Sequence, residues 1–384
     1  GYVGNDSSGS RFAYFTQIGF SDKNNNYSTY WSRNGATGAM YYDNYGYKAQ
    51  WSKIHKRDLG IEVNFFKDDL TFVFDFFNER RTNIFVSREN VPFVAGFAKG
   101  ISANMGVVKN TGFEASFEYS HTFNKDLWLS IRGNMTQNHD KVIENAQADP
   151  AYPWLDQRGH NVLAQWGYVA EGLYTSDEQI KERNITQFGE TYPGELVKPG
   201  DIMYKDLNGD GHIDEYDREC ISRGDLPEIY YGFGGDLRYK NIGLGVLFLG
   251  QVQGILPFQS SSGGGTLYAN ITDRWSESDP TKTDVFYPRL AWGANDASNI
   301  NNYVPSTWWK RDMGFLRLKQ FTISYYFPKS WQLGGFIKGG RFYFMGENVL
   351  TWSKFKLWDP ELNTSNGISY PNVRTFSLGV NFSF

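Results

Sequence analysis

The chain has 384 residues, a formal net charge of −4 and one cysteine, Cys220. The scattered basic residues offer no attraction to nucleic acid, and a lone cysteine excludes an intrachain disulfide. No segment approaches the roughly 18 consecutive apolar residues that a membrane helix needs. Aromatic residues make up 17% of the chain and 41 residues are glycine, a composition typical of strands and turns with aromatic rings at interfaces.

Apolar and polar residues alternate with a period of two in segments of about ten residues, the length that a tilted strand needs to cross an apolar layer. After a strand at 11–20, a hairpin is predicted from 59–66 and 70–76, with its turn at Lys67 to Asp69. A second follows at 112–123 and 127–136, where apolar residues from Phe113 to Phe123 face away from acidic and hydroxyl side chains. His121 is the polar exception on that apolar face.

The second half of the chain repeats this pattern. Residues 231–240 and 242–250 are predicted to form a third hairpin, and 314–327 with 340–349 a fourth. In the fourth, Leu316 and Leu318 are out of phase with Phe321 and the residues that follow, so a β-bulge is expected near Lys319 or Gln320. A terminal strand alternates cleanly from Thr375 to Phe384.

The connections are short and long in strict alternation. Short turns are expected near 67, 125, 241 and 330, and long loops at 21–56, 80–111, 140–229, 253–313 and 350–373. Outer-membrane barrels have short periplasmic turns and long extracellular loops. The sequence therefore predicts an all-β, transmembrane antiparallel β-barrel segment of roughly ten strands, in contact with outer-membrane lipid, with a periplasmic carboxy terminus. A soluble β-sandwich is the alternative.

The longest loop contains a calcium-binding pattern. Residues 206–217 read DLNGDGHIDEYD, with oxygen-bearing side chains at loop positions 1, 3, 5, 9 and 12, glycine at 6 and an apolar residue at 8. The predicted metal residues are Asp206, Asn208, Asp210, His212, Asp214 and Asp217. His212 would supply only its backbone carbonyl, and Asp217 replaces the usual glutamate.

The ion is expected to be a structural Ca²⁺ that braces an extracellular loop. The flanking sequence does not resemble an entering helix, so the pattern indicates an EF-hand-like loop without its helical frame. The alternative is a solvated acidic turn held by side-chain contacts to its own backbone.

Signatures of enzymes are absent from the sequence: there is no GxSxG, HExxH, P-loop or CxxC motif. We therefore expect no catalytic residues, although an outer-membrane hydrolase with residues that converge in space stays an alternative. Trp308 and Trp309 are expected to belong to an aromatic girdle at the membrane surface, with contact to sugar rings as the alternative.

Several ordered segments resemble the SusC-like branch (SusC/RagA) of the TonB-dependent outer-membrane transporters. They are Val108 to Glu114, Gly167 to Tyr174, Pro199 to Ile202, Phe315 to Lys319, Gly346 to Trp352 and Trp358 to Glu361. The terminal aromatic strand also resembles the signal by which barrel proteins are inserted into the outer membrane. By this resemblance the chain corresponds to the carboxy-terminal part of the barrel, and residues 1–384 contain no plug domain.

The resemblance implies a barrel of about 22 strands with a plugged lumen. It also implies a SusD-like surface lipoprotein that captures oligosaccharide or peptide, and a TonB complex that acts through the plug. The loops at 140–229 and 253–313 would then meet the lipoprotein and the ligand, without any substrate residue being identifiable. A passive or structural outer-membrane barrel and a calcium-stabilised soluble β-protein are the alternatives.

Overall fold

A computed structural model of the chain describes residues 2–5, 15, 17–20, 40–44, 50–89, 91, 101–189, 197–252, 255–257, 271–290, 297–328, 331, 338–362 and 369–383. Within these residues ten strands form one large sheet, in the order β1-β4-β5-β6-β7-β14-β15-β18-β19-β20. Their bounds are β1 Tyr2–Asn5, β4 Ser52–Phe65, β5 Leu70–Ser87, β6 Ser102–Asn124, β7 Leu127–Glu144, β14 Ile229–Tyr239, β15 Ile242–Val252, β18 Phe315–Tyr326, β19 Gly339–Ser353 and β20 Thr375–Ser383.

Shorter strands form five two-stranded sheets, β2 with β3, β8 with β13, β9 with β11, β10 with β12 and β16 with β17. Their bounds are β2 Gln17–Phe20, β3 Met40–Asn44, β8 Gln165–Gly167, β9 Ala170–Leu173, β10 Thr186–Gln187, β11 Ile202–Tyr204, β12 His212–Ile213, β13 Glu219–Ser222, β16 Ile255–Pro257 and β17 Lys310–Asp312. Two α-helices, α1 Asp177–Arg183 and α2 Ala297–Tyr303, and three 3-10 helices, Pro153–Leu155, Glu215–Asp217 and Thr307–Trp309, complete the described elements.

Every pair from β7 to β20 in the large sheet is antiparallel. The pairs β4 and β5, β6 and β7, β14 and β15, and β18 and β19 are neighbours in this sheet, so the predicted hairpin pairings are present and the all-β fold class is confirmed. The register shifts between Leu318 and Gln320 against β19, and Lys319 has no partner on β15. The bulge therefore lies at Lys319, where it restores the phase of the apolar residues on β18.

The strands differ from the predicted ones in length and in one position. β6 has 23 residues and β5 has 18, because both continue beyond the alternating apolar segment into residues assigned to loops. The strand predicted at 11–20 lies partly outside the described residues, and Gln17–Phe20 pairs with β3 instead of joining the large sheet.

The chain divides into two compact units. The first comprises residues 1–58, 77–111 and 139–162, and the second 59–76, 112–138 and 163–384. In the first, Lys56 pairs with Glu79 at 2.5 Å, and the Asn104 amide donates to the carbonyls of Gln50 and Asn83.

In the second unit the large sheet has one exposed apolar face. The apolar residues of this face alternate along each strand with polar residues. The exposed ones include Leu59, Ile61, Phe72, Phe117, Ile131, Phe233, Leu237, Leu244, Ile323, Phe342, Phe376 and Leu378. Leu378 is 85% exposed. An apolar surface this extensive is stable in lipid and costly in water. Among the described residues no helix is long and apolar enough to cross a membrane.

The hydrophobic core of the second unit lies outside the large sheet, in segments that the sequence assigned to loops. Its buried residues come from 168–213 and from 275–309 and are Tyr168, Leu173, Phe188, Ile202, Tyr204, Ile213, Trp275, Val285, Tyr287 and Trp309. We call the described residues of 163–228 and 271–309, which enclose this core, the lobe. The two longest predicted loops therefore fold together around a shared core.

Candidate functional site: the acidic loop and its lobe

The acidic loop at 206–217 follows β11 and ends in a 3-10 helix, Glu215–Asp217. Its strand β12 pairs in parallel with β10, so that His212 lies opposite Thr186 and Ile213 opposite Gln187. Ile213, at position 8 of the calcium pattern, is buried in the core of the lobe. The single apolar position of the pattern therefore fixes the loop to the lobe.

Two glycines allow the sharp turn of this loop. Gly209 and Gly211 have φ angles of +76° and +84°, in the left-handed region that residues with a Cβ rarely adopt. Gly211 occupies position 6, where the calcium pattern requires glycine. The backbone conformation at Gly211 is therefore the one that the calcium pattern requires at position 6.

The acidic side chains fold back on their own loop. Asp206 accepts hydrogen bonds from the amides of Gly209 at 2.7 Å and Gly211 at 2.9 Å. Asp210 accepts from the His212 amide at 2.8 Å and from the Asn208 side chain, also at 2.8 Å. These hydrogen bonds hold both carboxylates against the backbone of their own loop.

Asp217 closes the loop from inside. Its carboxylate is fully buried and accepts the amides of Leu207 at 2.7 Å and Asp214 at 2.9 Å. Asp214 caps the 3-10 helix in return, so the two residues form a capping box. Burial raises the pKa of Asp217, and the amides of Asp214 and Leu207 oppose that shift.

The donor set fits a hard cation in chemistry, spacing and glycine conformation, since all its side-chain ligands carry oxygen. The side chains do not converge on one point. In the described part of the chain no three His, Cys, Asp or Glu side chains lie close enough to hold a metal ion. Binding would therefore require the side chains to turn inward. The exposed His212 could contribute through its carbonyl, as the sequence pattern predicts.

A buried polar network supports the lobe next to this loop. Asp201 is fully buried and accepts from Arg289 Nε at 2.9 Å, from Asn302 Nδ2 at 2.8 Å and from the Lys198 amide at 2.9 Å. Burial raises the pKa of the Asp201 carboxyl, while the Arg289 guanidinium opposes the shift. One carboxylate therefore ties the segment around residue 201 to Arg289 and Asn302, which lie 88 and 101 residues away in the sequence.

Amide side chains extend the network to strand β11. Asn302 accepts from the Ile202 amide at 3.0 Å, and Asn301 donates to the Ile202 carbonyl at 3.1 Å. Gln187 accepts from the Tyr204 amide at 2.9 Å and donates to Asn301 at 2.6 Å. Sequence reasoning missed these residues, because nothing in their spacing shows that segments about 100 residues apart meet.

Two of the segments that carry the family resemblance meet on the polar face of the sheet. The guanidinium of Arg317, on β18, is 1% exposed and pairs with Asp359 and, at 3.0 Å, with Glu361. Nearby, Met313 and Phe355 form a small buried cluster. The residues after β19 are thereby fastened against β18, so this pair of segments has a structural role.

The expectation for Trp308 and Trp309 is wrong. Trp309 is 2% exposed in the core of the lobe, and its indole nitrogen donates to the Asn302 carbonyl at 2.8 Å. Trp308 donates to the Phe286 carbonyl at 3.1 Å. A girdle tryptophan faces lipid headgroups, whereas this pair packs inside folded protein.

Solved structures share this fold. The RagAB peptide importer in its open-open state matches 100% of the chain with a TM-score of 0.68 and 21% sequence identity, over 39% of its own chain. The RagAB peptide importer in its closed-closed state matches with a TM-score of 0.65. At this identity the likeness establishes the fold, which is that of the outer-membrane barrel transporters.

The sequence comparison points the same way. TonB-dependent receptor P3 of Formosa agariphila is 28% identical over 87% of the chain, and TonB-dependent receptor SusC of Bacteroides thetaiotaomicron is 24% identical over all of it. The resemblance to the SusC-like TonB-dependent receptors is confirmed. No protein-family profile matches this SusC-like chain.

The chain spans about a third of the length of these relatives, 34% of receptor P3 and 37% of SusC. The relatives are named as TonB-dependent receptors, and the solved structures as a peptide importer. The exposed apolar face of this chain's large sheet has the character of a strand surface in contact with lipid.

Proposed function

We propose that the chain is part of an importer in the outer membrane that takes up oligosaccharides or peptides together with a SusD-like surface lipoprotein. The likeness to SusC and to a peptide importer, over most or all of the chain, carries the proposal. The TonB complex would act through a plug in the part of the receptor outside these residues. The carboxy terminus would face the periplasm, because the short turns share that side.

Native purification of the full-length receptor tests this function. We expect a surface lipoprotein to co-purify, and deletion of either gene to abolish growth on the small molecules that travel with the complex. Growth should also stop when TonB is deleted. Uptake that persists without TonB and the lipoprotein would instead indicate a passive barrel, and an absence of any uptake defect would reject the importer.

We further propose that the acidic loop binds one structural Ca²⁺. Asp206, Asn208, Asp210, Asp214 and Asp217 would supply side-chain oxygen, and His212 its carbonyl. The fixed position of Ile213 and the conformation of Gly211 support this assignment. Since Asp217 is shorter than glutamate, we expect weak binding, with a dissociation constant of about 10⁻⁴ to 10⁻³ M, as in extracellular calcium modules.

Calorimetry of the intact receptor with Ca²⁺ checks the calcium proposal. Asp206→Ala with Asp210→Ala should abolish the binding heat and expose the loop to protease in the presence of the ion. Glu215→Ala is the matched control, since this exposed acid of the same loop occupies no ligand position. The proposal fails if the receptor binds no Ca²⁺, or if the double variant binds it like the wild type.

A further inference from the structure

Exposed aromatic side chains lie at the short-turn end of the large sheet. Each of the four hairpins named above has one beside or within its turn, and these are Phe66, Phe123, Tyr239 and Trp331. The three tight turns also carry an exposed lysine each, Lys67, Lys125 and Lys240. Aromatic rings together with lysines are typical of the boundary between a membrane and water. The short-turn end of the sheet therefore has the composition of an aromatic girdle.

His121 interrupts the apolar face of β6 inside this girdle. Its ring lies between those of Tyr119 and Phe123 on the same face. The ring centroids of Tyr119 and His121 are 6.2 Å apart with their planes at 13°, and Phe123 meets the imidazole edge to face at 4.6 Å. These two neighbours hold the plane of the imidazole at the end of the strand.

The turn between β4 and β5 brings a carboxylate to this imidazole. Asp69 Oδ2 lies 2.8 Å from His121 Nδ1, and the Asp69 carbonyl accepts the Ser120 amide at 2.7 Å. Residues 66–68, just before Asp69, have φ angles of +55°, +57° and +72°. Residues with a Cβ rarely adopt this conformation, and three in succession are a strained turn of the kind that clusters at functional sites.

The pair leaves one atom of each side chain open. The side chains of His121 and Asp69 are 36% and 33% exposed. Among the residues that the structure describes, neither His121 Nε2 nor Asp69 Oδ1 makes a hydrogen bond. A carboxylate next to hydrocarbon is costly unless it is paired, and the imidazole contacts only one of its two oxygens. The open atoms complement a ligand that carries a negative and a positive group side by side.

We propose that His121 and Asp69 bind the headgroup of a phosphatidylethanolamine molecule in the adjacent membrane leaflet. The phosphate accepts a hydrogen bond from His121 Nε2, and the primary ammonium donates to the Asp69 carboxylate. A second anion beside the ring favours the imidazolium, which carries an N–H on both nitrogens. The inference rests on the membrane location in the proposed function, and does not depend on transport.

Charge and hydrogen bonding select this headgroup over other phospholipids. Phosphatidylglycerol carries no cation, so its phosphate would add a second negative charge close to the Asp69 carboxylate. The quaternary ammonium of phosphatidylcholine has no N–H and cannot donate a hydrogen bond to that carboxylate. The primary ammonium of phosphatidylethanolamine both neutralises Asp69 and donates to it.

Native mass spectrometry of the full-length, delipidated receptor tests this site. Binding of the first lipid is titrated with phosphatidylethanolamine and with phosphatidylcholine that has identical acyl chains. We expect the wild type to bind the ethanolamine lipid about tenfold more tightly, as one hydrogen bond between charged groups would give. Asp69→Asn should remove this preference. His121→Phe should weaken the binding of both lipids, because its ring keeps the aromatic contacts but has no N–H.

Asp68→Asn is the matched control. It removes the same charge from the same turn, at an exposed side chain outside the pair, and asparagine tolerates the positive φ of this position. Heat-modifiable migration in gel electrophoresis shows that each variant is folded. The site is refuted if the wild type binds both lipids equally, if Asp69→Asn keeps the preference, or if Asp68→Asn loses it.

Two further outcomes separate this site from the proposed function. Tighter binding of phosphatidylglycerol than of phosphatidylethanolamine would assign the pair to an anionic lipid and overturn the proposal. A receptor that binds no phospholipid at all would contradict the membrane location itself. A receptor that shows the headgroup preference but no uptake would count against the importer and leave the lipid site in place.

Discussion

Asp201→Ala is expected to destabilise the lobe by about 3 to 5 kcal/mol, the usual cost of removing one partner from a buried ion pair. The substitution leaves Arg289, which is 15% exposed, without its carboxylate, and removes the acceptor of Asn302 and of the Lys198 amide. Unfolding of the lobe can be followed through tryptophan fluorescence in the full-length receptor, because Trp275 and Trp309 are buried in its core.

The ion pair between Arg183 and the exposed Glu171 provides the control. Glu171 is 43% exposed, so solvent screens the pair, and Glu171→Ala should cost no more than about 1 kcal/mol. If the two variants unfolded at the same denaturant concentration, the buried network would have no special part in holding the lobe together. The rate of limited proteolysis between residues 197 and 309 gives an independent measure of the unfolding of the lobe.

Gly200→Ala should destabilise the lobe by about 3 kcal/mol, through overpacking and backbone strain together. Gly200 has a φ of +88°, and a Cβ at this position would lie 2.3 Å from the Trp275 ring. Trp275 is buried in the core and cannot move away without opening a cavity. Thermal unfolding monitored by near-ultraviolet circular dichroism would report the loss of tryptophan packing.

Gly209→Ala separates the two causes. Gly209 has a similar φ of +76° but no atom within 4 Å of the position of its Cβ, so only strain of about 1 kcal/mol is expected. If Gly200→Ala lowered the stability no more than Gly209→Ala, contact with Trp275 would be unimportant. The comparison also measures how much the acidic loop tolerates a side chain where it turns.

The large sheet was predictable because a strand's pattern is local. Alternation assigns each residue to a face, and a phase error such as that around Leu318 and Phe321 requires an extra residue, which the structure places at Lys319. The acidic loop was recognisable for a similar reason, since its twelve positions are contiguous. Its convergence on an ion is not encoded by spacing alone and stays a prediction.

The lobe was not predictable in the same way. Trp309 lies only seven residues from Asn302 in the sequence, but its burial depends on Tyr287 and on segments near residue 204. Asp201 was noticed only within a segment that resembles a family, and its partner Arg289 has no local signature. Contacts between residues so far apart depend on how the connecting segments fold, which a single sequence does not reveal.

The sequence by itself determined the all-β class, the two faces of the sheet, the bulge and the acidic loop, because each is written in the order of neighbouring residues. Only the tertiary structure decided that two long connections share one core, that Arg317 meets Asp359 and Glu361, and that Arg238 and Arg341 line one recess on the polar face of the sheet. Those features depend on strand register and on packing contacts between residues that are far apart in the sequence.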